Sequence, residues 1–232
     1  MSKLIFEKND GVTEDVTEFD FAVSDFTNNK SLTGQDYFEN TDWSGSGFII
    51  FIAMDKTFPE LLQHNVFFSD DYENEYIDIY EKKIPSDDMT IYVSISGKHE
   101  KDDCPDGTEN WFIFVNAPHL SDKFIWNENS SKQYFDKVIS RLESFNLIFD
   151  DSPRNHIRFY EVFTPEDFKE KYNCEYGSIY GLSSNSLYTL IKRPKNKSEK
   201  YSNLFFTGGN TNPGGGVPLC FLSGKMVSEM IN

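Results

Sequence analysis

The residues of this 232-residue chain best suited to chemistry lie near its C-terminal end. Asn203-Leu204-Phe205-Phe206-Thr207 has strand character and runs into Gly208-Gly209-Asn210-Thr211-Asn212-Pro213-Gly214-Gly215-Gly216-Val217-Pro218, after which Leu219 to Ile231 reads as a helix. Leu219, Leu222, Met226, Val227 and Met230 recur at helical intervals and form an apolar face. Pro218 stands at the first turn, where a missing N–H costs nothing. Glycines let a ligand approach bare backbone, and the N–H groups and dipole of a helix N-terminus favour a negative or electron-rich group. The chemistry implied is retention of an anionic cofactor. Without a ligand, the same stretch is simply a glycine-rich connection.

The elements that must position this loop come earlier in the chain. Ser2 to Phe6 and Glu18 to Val23 read as strands, and Asp25 to Trp43 as a loop with room for a short helix. Phe48 to Met54 is a continuous apolar strand whose composition predicts burial on both faces. Asn65 to Phe68, Thr90 to Ile95, Asn110 to Val115 and His156 to Phe163 are further strands, and Tyr72, Tyr76, Ile79 and Tyr80 share a short helical face. Ser131 to Phe145 is a helix with Tyr134, Phe135, Val138, Ile139, Leu142 and Phe145 on one stripe. Thr164-Pro165-Glu166-Asp167 marks a helix start by its hydroxyl, proline and acidic residue. Neighbouring strands and modest loops predict an α+β fold with a mixed, largely antiparallel sheet.

Composition narrows the function. Twenty-two Phe and 12 Tyr exclude disorder and suit a wide apolar cavity, although an aromatic core accounts for any single ring equally well. A net charge of −16 makes nucleic acid an unsuitable partner, because phosphate binding needs clustered Lys and Arg. Cys104, Cys174 and Cys220 have no CxxC spacing, and His64, His99, His119 and His156 have no HExxH grouping. Reduced thiols in a cytoplasmic protein and no metal site are therefore expected. No apolar run approaches the ~20 residues of a spanning helix, and Glu7 makes the start too acidic for a signal peptide.

Asn203 to Pro218 resembles the C-terminal flavin-binding signature of bacterial-type phytoene desaturases, carotenoid desaturases of the FAD-dependent, amine-oxidase-like group. That signature runs Asn-Leu-Tyr, two hydrophobic residues, Gly-Ala-Gly-Thr-His-Pro-Gly, any residue, Gly, a hydrophobic residue and Pro-Gly. Asn210, Asn212 and Leu219 depart from it, standing where Gly, His and Gly are usual. Ser46 to Met54, His64 to Tyr72, Ile91-Tyr92-Val93, Pro105-Asp106-Gly107, Thr164 to Phe168, Gly177 to Gly181 and Arg193-Pro194 follow the order of the same family's C-terminal half.

The resemblance implies that residues 1–202 form a substrate-binding domain, with part of the flavin-domain strands near 1–30, and that 203–232 are a C-terminal FAD-binding segment. The implied cofactor is FAD, contacted by Gly208, Gly209, Asn210, Thr211, Pro213, Gly214, Gly215, Gly216, Val217 and Pro218. The family's opening GxGxxG, which holds the dinucleotide pyrophosphate, has no counterpart in residues 1–43. The expected partners are accordingly an N-terminal FAD domain missing here or another chain that supplies it, a carotenoid substrate and a membrane surface. The chain alone is expected to bind FAD weakly and to be inactive, with Leu222, Met226 and Met230 lacking their natural cover. Arg193 reads as a structural ion-pair residue or a flavin neighbour, and no carboxylate stands out as a proton acceptor. Two other readings are a non-enzymatic module for a carotenoid or other apolar ligand, and half of a retinol-saturase-like flavoprotein.

Overall fold

The computed structural model describes residues 22–24, 42–145, 149, 151–183, 193–199 and 201–231. In chain order its regular elements are β1 (Ala22–Ser24), β2 (Ser46–Met54), β3 (His64–Phe67), α1 (Tyr72–Tyr76, continued by a π-helical turn over Ile77–Lys82), β4 (Ile91–Ser94) and β5 (Glu109–Ala117). There follow α2 (Glu128–Ser144), β6 (Ile157–Phe163), α3 (Pro165–Tyr172), β7 (Leu204–Phe206) and α4 (Val217–Ile231). The described residues fall into two compact units. One gathers 22–24, 42–44, 173–175, 180–183, 193–199 and 201–231; the other holds Gly45–Tyr172, apart from the undescribed positions, and Tyr176–Ile179.

The second unit is an antiparallel sheet in the order β3-β4-β5-β2-β6, with α2 over one face. The α+β class is as expected, and this sheet is wholly antiparallel rather than mixed. Period-two alternation turns Phe48, Ile50, Ile52 and Met54 of β2 and Trp111, Ile113 and Val115 of β5 into the core. Tyr134, Phe135, Val138, Ile139 and Leu142 of α2 meet them there, and Phe145 packs at the margin. Phe135 stacks on Tyr160 of β6 with centroids 3.8 Å apart. The helix begins three residues earlier than its apolar stripe suggests, because Asn127 and Ser130 form a reciprocal cap: Ser130 N–H donates to Asn127 Oδ1, and Asn127 N–H to Ser130 Oγ.

The expectation that β2 is buried on both faces is corrected. Helix α2 covers one side only, and Phe51 on the other is 45% exposed. A continuous apolar run fits both a two-sided interior strand and an antiparallel strand with one apolar open face, and only the layer count separates them. The helical face at Tyr72, Tyr76 and Tyr80 is likewise exposed, while Glu75 and Asp78 turn inward. Glu75 accepts from both Thr90 N–H (3.0 Å) and Thr90 Oγ1 (2.7 Å), which satisfies its carboxylate.

In the first unit β1 and β7 pair in parallel, Val23 opposite Phe205. Trp43 and Leu182 form an antiparallel bridge, and Lys197 and Phe205 a second. The expected strand Ser2–Phe6 lies outside the described residues, as do most of Glu18–Val23 and of the loop Asp25–Trp43; Ala22 and Val23 belong to β1.

Candidate functional site

The glycine loop joins β7 to α4, as its composition predicts. Gly208, Gly214 and Gly216 have φ of 109°, 137° and 105°, a region that side chains rarely occupy. The loop is built around buried polar atoms. Gly208 N–H donates to Ser223 Oγ (3.2 Å), and Thr211 Oγ1 to Gly208 O (3.2 Å). Asn196 Nδ2 lies 3.1 Å from Phe206 O, 3.0 Å from Asn212 O and 3.0 Å from Ser223 Oγ. Asn196, Thr211 and Ser223 are all buried, and Asn196 O accepts from Phe206 N–H at 2.8 Å. One side chain therefore ties strand, loop and helix together. Sequence reading misses Asn196 and Ser223, because a lone Asn before a strand and a Ser inside a helix carry no motif.

Arg193 performs a second tie. Its guanidinium donates to Gly209 O (2.6 Å) and Leu182 O (3.3 Å), both in its own unit, and a Cβ on Gly214 would lie 3.5 Å from Cζ. It braces the loop from within. Asn210 packs its amide against Gly181, which has φ of 69°. Asn212, preceding the cis Pro213, donates through Nδ2 to Pro194 O at 3.3 Å.

The predicted site residues thus divide by position. Thr211 and Gly214 are buried, Gly209 lies against Gly215, and a Cβ on Gly215 would come within 2.6 Å of Tyr180 O. Among the described residues nothing lies within 4 Å of a Cβ position on Gly216, and Val217 and Pro218 are exposed at the N-terminus of α4. The loop position with bare backbone and open space is therefore Gly216, next to the exposed Val217 and Pro218. Along α4, Leu222 and Met230 are 45% and 47% exposed, Met226 is half-buried, and only Ser223 and Val227 are buried.

The open face of the second unit's sheet is a separate feature. Strand register places Phe51 opposite Phe112, Ile49 between Phe114 and Phe163, Tyr92 opposite Phe114 and Ala53 opposite Phe159. Phe51 meets Phe112 and Phe163 edge-on at centroid distances of 5.5 and 6.2 Å. A cavity of about 360 Å³ opens on this face, lined by Phe51, Ile52, Ala53, Trp111, Phe112 and Phe159, with Ser94, Ser96 and Asn110 at its polar side. Phe159 is 69% exposed. Phe51 and Phe159 thus leave an apolar patch open on this face of the sheet.

Other ionisable groups are tied structurally. His156 sits between Asp55 Oδ1 on Nδ1 and Asp151 Oδ2 on Nε2, each at 2.8 Å. These bonds, Asp151 first, raise the imidazole pKa above its ordinary value, and the same contact lowers that of Asp151. Buried Glu109 binds Lys98 Nζ (2.6 Å), Phe58 N–H and Trp111 Nε1. Among the described residues no three His, Cys, Asp or Glu are placed to hold a metal ion, and no helix is long and apolar enough to cross a membrane.

No protein-family model matches the chain. Over 190 residues it is 33% identical to the 4,4'-diaponeurosporene oxygenases of Staphylococcus haemolyticus and Staphylococcus aureus. The chain is similar to part of these proteins. The alignment takes in 82% of this chain and 37% of each relative, so the chain spans just over a third of the length of the curated relatives it resembles. A solved oxidoreductase structure from Methanosarcina mazei covers 95% of this chain and 44% of its own, with a TM-score of 0.48 and 14% identity.

Proposed function

We propose that the chain is part of a carotenoid-modifying oxidoreductase, a C-terminal portion of an FAD-dependent enzyme of the phytoene desaturase type that removes hydride and proton from an acyclic polyene. The observation that carries this reading is the open aromatic face around Phe51, Phe112, Phe114, Phe159 and Phe163, whose ring edges and faces suit a flat, extended apolar chain. The similarity to named diaponeurosporene oxygenases supports the substrate class.

The flavin reading rests on the glycine loop. A flavin would find room at one place: Gly216, beside the exposed Val217 and Pro218 at the first turn of α4, where the helix dipole favours an electron-rich ring edge. FAD, when bound, would supply the reversible hydride acceptance that no side chain offers. Asn196, Ser223 and Arg193 would hold the loop in shape, and Gly208, Gly209, Asn210, Thr211, Pro213, Gly214 and Gly215 would form its frame rather than its surface. The pyrophosphate-holding glycines are to be supplied by a longer form of this protein or by another chain. The enzyme would work at a membrane surface, since its substrate dissolves in lipid.

The test is to produce the chain together with a flavin domain that carries the GxGxxG glycines, load it with FAD and supply phytoene or diaponeurosporene in liposomes. Desaturation shifts the polyene absorbance to the red, and oxygenation adds the mass of oxygen to the product. The proposal expects one of these with the loaded protein and neither with the isolated chain. Binding without turnover by the loaded protein would favour the non-enzymatic carrier, and failure to bind either polyene would overturn the assignment of the face.

A further inference from the structure

The cavity on the aromatic face is not uniform. Its walls are Phe51, Ala53, Phe112 and Phe159, but one end is made by Ser94 of β4, Ser96 just beyond it and Asn110 of β5. Their hydrogen bonding leaves donors over. Asn110 Oδ1 accepts from Gly97 N–H (3.2 Å), which fixes the amide so that Nδ2 donates to Ser96 Oγ (2.8 Å). An amide nitrogen carries two hydrogens, so one Nδ2 hydrogen remains, and a Ser96 hydroxyl that accepts from Asn110 keeps its own hydrogen to give. Ser94 adds a second hydroxyl, and with it a third donor. Among the described residues no Lys or Arg lines the cavity, so none of them offsets the desolvation of a carboxylate. The volume, about 360 Å³, suits the end of a long chain rather than its whole length.

From this arrangement we infer that the cavity is an end-group subsite that accepts a neutral oxygen function, an alcohol or aldehyde, at the terminus of the polyene. The inference rests on the reading that the aromatic face holds a polyene. It adds that substrate selection includes the polar end: a chain already oxygenated at its terminus is held by Ser94, Ser96 and Asn110, and a hydrocarbon terminus leaves their donors unmet.

The experiment uses the full chain and two fluorescent probes, all-trans-retinol and axerophthene, the hydrocarbon in which a methyl group replaces the CH2OH. Affinities are measured for the wild type, the double variant Ser94→Ala/Ser96→Ala, and Phe112→Ala. The double variant should bind retinol about tenfold more weakly and axerophthene unchanged, from the loss of two hydrogen bonds; Phe112→Ala should weaken both. If both probes bind and respond to Phe112→Ala but neither responds to the serine changes, the end-group subsite is overturned and the aromatic face stands. If neither probe binds, or Phe112→Ala affects neither, the aromatic-face reading falls as well. A measurement needing no variant is the Raman spectrum of all-trans-retinal on the wild-type chain. Its carbonyl stretch should move down relative to its position in hexane, and an unshifted band contradicts the subsite.

Discussion

Replacing Asn196 by Ala removes the side chain that joins β7 to the glycine loop beside Ser223 of α4. Its amide has two hydrogens, which the carbonyls of Phe206 (3.1 Å) and Asn212 (3.0 Å) take; Thr211 Oγ1 and Ser223 Oγ lie 3.3 and 3.0 Å away and 3.2 Å from each other, so these hydroxyls can pair without it. The change leaves two carbonyls without their donor in a buried setting. At about 1–2 kcal/mol for each, toward the lower end of the cost of an unmet buried group, the loop should lose about 2–4 kcal/mol of protection. That corresponds to amide exchange faster by roughly thirty- to 700-fold, at one power of ten for each ~1.4 kcal/mol. Hydrogen exchange by mass spectrometry on peptides covering 203–216 measures it, with β5 of the other unit as internal reference. Asn196→Asp, which sets a carboxylate oxygen against the two carbonyls, should accelerate exchange further. Acceleration below about threefold in this loop, or an equal change in β5, would refute the assignment of Asn196 as the tie.

Three further outcomes follow from named contacts. His156 is raised in pKa and faced by Asp55 and Asp151, with Arg158 and Lys56 on those carboxylates, so its contribution is complete below the ordinary imidazole range and fades as pH rises through the raised value. The lowered Asp151 contributes above the ordinary carboxylate range and loses that as pH falls through its own value. The melting-temperature gap between wild type and His156→Gln should therefore narrow from about pH 6 to about pH 9, and parallel curves would contradict this. Leu142→Ala, at a fully buried position beneath the sheet, should cost about 2–5 kcal/mol in guanidinium unfolding, and a loss under about 1 kcal/mol would show that α2 does not seal that core. Gly181→Ala should lower thermal stability more than Gly107→Ala; both have positive φ, but only the first drives a methyl group into Asn210, and equal losses would remove that packing argument.

What the sequence by itself determined is what depends on neighbours within a few residues. The stripe Tyr134, Phe135, Val138, Ile139 and Leu142 is a helical period, and these side chains are the buried ones. The strand, glycine loop and helix from Leu204 to Ile231 follow from composition and spacing alone. Thr164 and Asp167 cap α3 within three residues, with Thr164 N–H and Oγ1 on Asp167 Oδ2 at 2.8 and 2.9 Å. The tertiary structure decided everything that depends on which distant segments meet. Phe51, Phe112 and Phe163 come from strands far apart in sequence, and only the order β3-β4-β5-β2-β6 and its register set them on one face, with Ser94 and Asn110 at its polar end. The same apolar run that suggested a two-sided interior strand became half of that open face, because one layer of helix covers one side of a sheet. Asn196 and Ser223, 27 residues apart, and Asp55 and His156, 101 apart, acquire their roles only when the chain brings them within hydrogen-bond reach. A hydrogen bond acts over about 3 Å, and no local periodicity records which distant donors and acceptors the fold will bring that close.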